Sequence, residues 1–153
     1  MVAYGWRGAF TTAEVNALHA EAFEHPVFAD EEWDWTAQVQ QHSLGWVCAR
    51  EADDLIGFVN VAWDGVVHAF VLDTMVAIHA RSAGVGRALV AMAVTEARRH
   101  GCEWLHVDFQ DRLRTFSFDG CRFPPTTARL IATSPAVCTD DTAPGLRSRH
   151  AHP

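Results

Sequence analysis

The spacing of apolar positions changes several times along this chain. From Thr11 it is helical: Val15, Leu18, Ala22 and Phe23 recur at helical intervals, and Thr11 followed by Glu14 has the spacing of a capping box. A first helix over about Thr12 to Phe23 is predicted. The segment DEEWDWTAQVQQHS predicts a second helix ended by Gly45, with a loop around His25 and Pro26 between the two.

Beyond Gly45 the apolar residues gather in short runs: GWVCAR, LIGFVNVAW and VVHAFVLDTMVA, separated by Asp53-Asp54 and by Asp64-Gly65. Asp-Gly between two such runs is a strong hairpin signal. A three-stranded antiparallel meander is therefore expected. Helical spacing returns from about Gly84 to His100, with Leu89, Val90, Ala93, Val94 and Ala97 on one side and Gly101 as the stop. WLHVDF, Trp104 to Phe109, reads as a short buried strand, and a strand-helix-strand connection of this length sets it parallel to the last meander strand.

A short helix near Asp111 to Gly120 and a strand near Ala128 to Thr133 complete one expected domain, residues 1–133, with a mixed sheet of the α/β (α+β) class. The stretch after it, SPAVCTDDTAPGLRSRHAHP, is polar and proline-bearing and is expected to be a mobile tail.

Composition narrows the picture. At 153 residues the chain can bury one core without staples. A formal charge of −7 disfavours nucleic acid and anionic membrane as partners and favours a cation or amine. No apolar run approaches the roughly 18 residues of a membrane span, and no signal peptide is evident, so a cytoplasmic protein is expected. The cysteines Cys48, Cys102, Cys121 and Cys138 lie far apart, which predicts buried thiols in place of a metal site or disulfides. All the basic residues are arginine, and without lysine there is no Walker A loop.

The candidate chemistry sits in RSAGVGRA. Arg81, Gly84 and Gly86 precede a predicted helix N-terminus, where glycine lets a ligand approach the backbone and unpaired N–H groups point at an anion. The same residues equally suit a plain tight turn. The dinucleotide fingerprint needs a third glycine where this chain has Leu89.

Arg81-Ser82-Ala83-Gly84-Val85-Gly86, between a strand and a helix, resembles the acetyl-CoA loop Q/R-x-x-G-x-G/A of the GNAT superfamily of N-acetyltransferases. In element order the resemblance covers about residues 12 to 133. FVNVAWDGVVHAFVLDT and GCEWLHVDF also look like an actinobacterial-type subgroup of small GNAT proteins. The resemblance implies splayed fourth and fifth strands, the fourth being the one that runs into the loop. It implies acetyl-CoA, or another short acyl-CoA, as cofactor. Its pyrophosphate would lie on Arg81, Ser82, Ala83, Gly84, Val85, Gly86, Arg87 and Ala88, and its pantetheine along Met75, Val76 and Ala77. The Val76 N–H would polarise the thioester carbonyl.

A small-molecule amine would attack directly once neutral. The candidate bases are Asp108, Asp73 and His106, with His68 a further one. Alternation puts His106 and Asp108 on one side of their strand, and Asp73 with Ala69, Val71 and Met75. A strand Asp or His serves equally as a hydrogen-bonded core residue. The acidic stretch Glu21 to Asp34, with Phe23, Glu24, Phe28 and Trp33 as candidate acceptor contacts, suits a cationic amine or an ordinary solvated face.

Three positions depart from the family pattern. Ser117 stands where the family has a Tyr acid, Arg122 where a glycine is usual, and Ile78 where the loop often has Pro. A positive φ at position 122 would strain any residue but glycine, or the arginine could contact a CoA phosphate. These departures keep two alternatives open: a CoA- or acyl-CoA-binding module without turnover, and an enzyme of another reaction type in the same cleft. Six tryptophans and an edge strand permit a homodimer.

Overall fold

The computed structural model describes residues 1–108 and 120–126. By its internal contacts the chain divides into a unit Met1–Asp108 and a unit Phe109–Pro153. The helix expected at Asp111 to Gly120, Ser117 within it, the strand at Ala128 to Thr133, Cys138 and the tail from Ser134 lie outside the described residues.

The first unit runs β1 (Val2–Trp6), α1 (Thr12–Phe23), α2 (Trp35–His42), β2 (Ser43–Glu51), β3 (Asp54–Trp63), β4 (His68–Val76), a 3₁₀ turn (Ile78–Ala80), α3 (Val85–Arg99) and β5 (Trp104–Val107). The five strands form one mixed sheet in sequence order, antiparallel from β1 to β4 and parallel between β4 and β5. The meander and the parallel return are as expected. β1 is an addition that the sequence pattern did not reveal, paired along the edge of β2.

Helix α1 begins where the capping box places it. Thr11 Oγ1 accepts from the Glu14 amide, and the Glu14 carboxylate accepts from the Thr11 amide at 2.7 Å. Its buried residues are Val15, Asn16, Leu18, His19 and Ala20. Two polar side chains thus occupy core positions, while Ala22 and Phe23 are only half-buried. Helix α2 is shorter than expected and ends at His42, because β2 already begins at Ser43, which pairs with Ala62. The Asp34 side chain caps its start by accepting from the Ala37 amide.

Helices α1 and α2 cover one face of the sheet, where Trp35 packs edge-on against Phe58. Helix α3 covers the other, with Val85, Leu89, Val90, Ala93 and Ala97 buried. Gly84 caps its start, and Gly101 follows it at φ 84°, the left-handed stop expected there.

Two strand expectations are corrected. Trp104 is 61 % exposed and His106 is exposed, so β5 is not a buried strand. Its alternation leaves Trp104 and His106 exposed, with no described helix over them. The second correction concerns Met75. Phe58 pairs with Met75, yet Asn60 pairs with Leu72, so β4 carries one extra residue opposite Val59. Asp73 at this bulge has φ 53°. The bulge resets the alternation: Met75 lies with Phe58 on the α1/α2 face, whereas Ala69 and Val71 lie on the α3 face. Met75 and Val71 are therefore not same-side neighbours.

Of the cysteines, Cys48 and Cys102 are buried and Cys121 is half-buried. Burial pushes the Cys48 thiol up to about 12. In the second unit, Arg122 has φ 61°, the left-handed conformation that makes glycine usual at such a site.

Candidate functional site

The register of β4 decides which backbone groups face a ligand. The Ala77 N–H donates to Ile56 O at 2.9 Å, so Val76, one residue earlier, turns its N–H and C=O away from β3. On that other side β5 pairs with β4 only from His68–Trp104 to Val71–Val107. Five more residues of β4 follow, Leu72 to Val76, with no partner on that side among the described residues. Of the three consecutive residues Met75, Val76 and Ala77, only Val76 presents its amide to that side. Neighbouring residues of a strand face opposite edges.

The loop after β4 is tied to itself. The 3₁₀ turn closes through Ala80 N–H to Ala77 O and Arg81 N–H to Ile78 O, and Arg81 Nε reaches back to Val76 O at 3.2 Å. Ser82 (φ 63°) and Gly84 (φ 83°) then take left-handed conformations. Helix α3 starts without any side-chain cap, and its first intrahelical donor is the Ala88 amide, to Gly84 O. The amides of Val85, Gly86 and Arg87 precede that bond, at the positive end of a 15-residue helix dipole. Arg81, Ser82, Ala83, Gly84 and Arg87 are exposed. An anion can reach this cradle, and its donor set fits a phosphate or pyrophosphate.

The base candidates fall at different depths. Asp73 is half-buried at the bulge, two residues past the last paired position. Asp108 is exposed and directly follows β5. These two carboxylates lie just beyond the last described pair of β4 and β5, Val71–Val107. His106 pairs with Phe70, stacks on its ring at a centroid distance of 4.7 Å, and hydrogen-bonds His68 Nδ1 through Nε2 at 2.7 Å. At about 3.3 Å per strand residue, that imidazole pair lies roughly 20–26 Å of strand behind Val76.

The candidate acceptor residues Phe23, Phe28 and Trp33 come together around a side chain that sequence reasoning did not single out. His19 is 3 % exposed. Its ring lies 4.7 Å from Phe23, 4.6 Å from His25, 4.8 Å from Trp33 and 5.4 Å from Trp35. Phe28 joins through His25 and Trp33. Glu24, by contrast, is the exposed left-handed cap of α1. His19 lies four residues after Val15, a position on the apolar face, and that spacing was the available signal.

The His25 Nδ1 lies 2.7 Å from Pro26 O, a pure acceptor, so Nδ1 must carry the proton. In the neutral pair His25 Nε2 then accepts from His19 Nδ1 at 2.6 Å. This leaves the buried His19 Nε2 as an acceptor with no partner among the described residues. Burial, then the neighbouring His25, lowers the His19 pKa to about 4. Asn16 beside it is fully engaged, accepting from Trp35 Nε1 and donating to Trp33 O and Asp30.

The acidic stretch does not form one surface. Asp30, Glu31 and Asp34 line an open groove with Thr12 and Thr36 at the start of α1, whereas Glu21 and Glu24 sit at its far end. Among the described residues no group of three or more His, Cys, Asp or Glu side chains could hold a metal ion. No described helix is long and apolar enough to cross a membrane.

The sequence profile of the acetyltransferase (GNAT) family matches residues 12–115. The chain belongs to the GNAT acetyltransferase family. No curated protein matches it in sequence. Its fold is similar to that of a GNAT-family acetyltransferase from Streptococcus pneumoniae TIGR4, at 17 % identity and TM-score 0.67, covering 88 % of this chain and all of that one. AAC(6')-Iy, solved with the bisubstrate analogue CoA-S-monomethyl-acetylneamine, is similar at 16 % identity and TM-score 0.69, over 88 % of this chain and 98 % of that one. Glucosamine-6-phosphate N-acetyltransferase from Arabidopsis thaliana is similar at 13 % identity and TM-score 0.66, over 85 % and 97 %. The five-stranded mixed sheet and three helices of this GNAT chain match those structures.

Proposed function

We propose that this GNAT chain is an N-acetyltransferase that moves an acetyl group from acetyl-CoA to the primary amine of a small, cationic molecule by direct attack. The observation that carries the reading is the uncapped start of α3 after a strand whose outer edge has no partner among the described residues beyond the Val71–Val107 pair. Strand edge and helix start are joined by the eight residues 77–84, tied to one another by the turn's own hydrogen bonds.

The residues that would hold the cofactor are Arg81 to Ala88 for its pyrophosphate and Val76 for its pantetheine arm. Acetyl-CoA, when bound, supplies an acyl thioester open to attack by an unprotonated amine. The Val76 N–H would donate to the thioester carbonyl oxygen as negative charge grows there. Asp73 or Asp108, beyond the last described β4–β5 pair, would take the amine proton, with His106 and His68 reachable only through intervening water. Ser117 would return a proton to the departing thiolate, a modest demand for a group with a reference pKa near 8.5. Phe23, Phe28 and Trp33 would wall the acceptor side, with Glu24 attracting its charge. Two structural relatives support an amine acceptor by their printed names, one solved with an acetylneamine analogue and one a glucosamine-6-phosphate N-acetyltransferase. The FVNVAWDGVVHAFVLDT segment supports a place among small actinobacterial-type GNAT proteins.

Thiol release from acetyl-CoA, followed across a panel of primary amines with CoA binding measured in parallel by calorimetry, tests the proposal. Acceptor-dependent release is expected. Binding with no release by any amine would leave a CoA-binding module, and no binding at all would remove both readings.

A further inference from the structure

We infer that Glu21, on the acceptor-side helix α1, is a positioning residue for the acyl-CoA site: its carboxylate holds the exit of β4 in place by accepting the backbone N–H of Ile78. The inference rests on the cofactor site proposed above and adds a residue to it.

Every backbone hydrogen bond that shapes residues 76–81 has a named partner. Ala77 N–H goes to Ile56 O, Ala77 O receives Ala80 N–H, Ile78 O receives Arg81 N–H, and Val76 O receives Arg81 Nε. The Ile78 N–H donates to Glu21 Oε1 at 2.5 Å, across 57 residues of sequence. Ala77, which starts the 3₁₀ turn, offers no side-chain cap of its own. Glu21 therefore supplies from another layer of the fold the cap that the turn lacks. It is the only one of these tethers that reaches the turn from α1. Without it the exit of β4 is held to the rest of the unit through Ala77 and Ile56, and the Val76 amide can pivot about that bond.

The choice of a charged residue is informative. A carboxylate beside a loop built for an anion repels the ligand's charge. A neutral acceptor of the same shape would hold the Ile78 amide without that repulsion. Glu21→Gln should therefore keep the geometry and bind CoA at least as tightly as the wild type. Glu21→Ala should lose the tether.

The test combines CoA calorimetry, steady-state kinetics and amide hydrogen exchange at Ile78 on Glu21→Ala, Glu21→Gln, Ile78→Pro and the Glu21→Ala/Ile78→Pro double variant. Proline removes the donor, and Ala77 at φ −52°, ψ 141° already has the conformation that a following proline favours. Expected are a roughly three- to tenfold weaker CoA affinity in Glu21→Ala, the range a single hydrogen bond allows, a higher KM for acetyl-CoA at unchanged kcat, and faster Ile78 exchange. Glu21→Gln should restore all three. In the Ile78→Pro background, removing Glu21 should cost nothing more. Wild-type affinity in Glu21→Ala, or an undiminished cost in the proline background, would overturn the inference. A wild-type chain that binds no CoA would instead overturn the site itself, while Ile78 exchange would still report the tether.

Discussion

A methyl group placed on Gly57 would stand 3.0 Å from Leu89 Cδ1 and 3.1 Å from Val85 Cγ1. Helix α3 therefore rests directly on the backbone of β3, and the residue it brings closest after Leu89 is Val85, the first of the helix. The packing of the core and the placement of the anion cradle are set by the same contact.

Gly57→Ala should consequently act twice. Overpacking of this kind costs about 1–3 kcal/mol, which thermal denaturation would register as a lowered Tm. The helix start must also shift, so CoA affinity should fall while the amine KM changes little. Wild-type CoA affinity at a lowered Tm would separate the cradle from the packing.

Gly84 isolates the backbone contribution. It has φ 83° and nothing within 4 Å of where a Cβ would stand, so Gly84→Ala clashes with nothing and strains only the main chain, by about 1 kcal/mol. Gly84→Asn, which tolerates the left-handed region better, should lose less CoA affinity than Gly84→Ala. The reverse order in calorimetry would show that side-chain bulk, and not conformation, governs the cradle.

His19 makes stability depend on pH in a defined window. Its folded pKa, about 4, lies below the ordinary imidazole value of 6.5. Below pH 6.5 the unfolded chain takes up a proton that the folded chain refuses, so stability falls as pH drops from about 6.5 to about 4 and is unaffected by this group above that range. The slope is at most about 1.4 kcal/mol per pH unit. Urea denaturation at pH 7.5 and pH 5 should show a smaller acid loss in His19→Phe than in the wild type. Equal losses would mean that the ring is not buried neutral.

Asp73→Asn and Asp108→Asn distinguish the two carboxylates beyond the last described β4–β5 pair. Asn tolerates the φ of 53° at the bulge, so Asp73→Asn should fold. Loss of the base should lower the plateau rate about 10²- to 10⁴-fold and abolish the acid limb of the pH–rate profile. Unchanged profiles in both variants would clear them and turn attention to the His68–His106 pair.

Spacing and end signals were enough for α1, α3, the hairpin at Asp64-Gly65 and the parallel return, because each depends on interactions within a few residues. Thr11 and Glu14 bond to each other, and Gly84 and Gly101 meet conformational demands of their own. The motif at Arg81 to Gly86 was legible for the same reason. What the tertiary structure alone decided are relations between distant segments. The bulge at Asp73 exists only relative to Val59, and it moved Met75 to the other face of the sheet. Val76 became the presenting amide because Ala77 is spent on Ile56. His19 and Asn16 are buried because Trp33 and Trp35 close over them. Glu21 found Ile78 through helix packing. Hydrophobic spacing encodes which face of an element turns inward; strand register and the meeting of polar groups across layers are settled only when the elements pack.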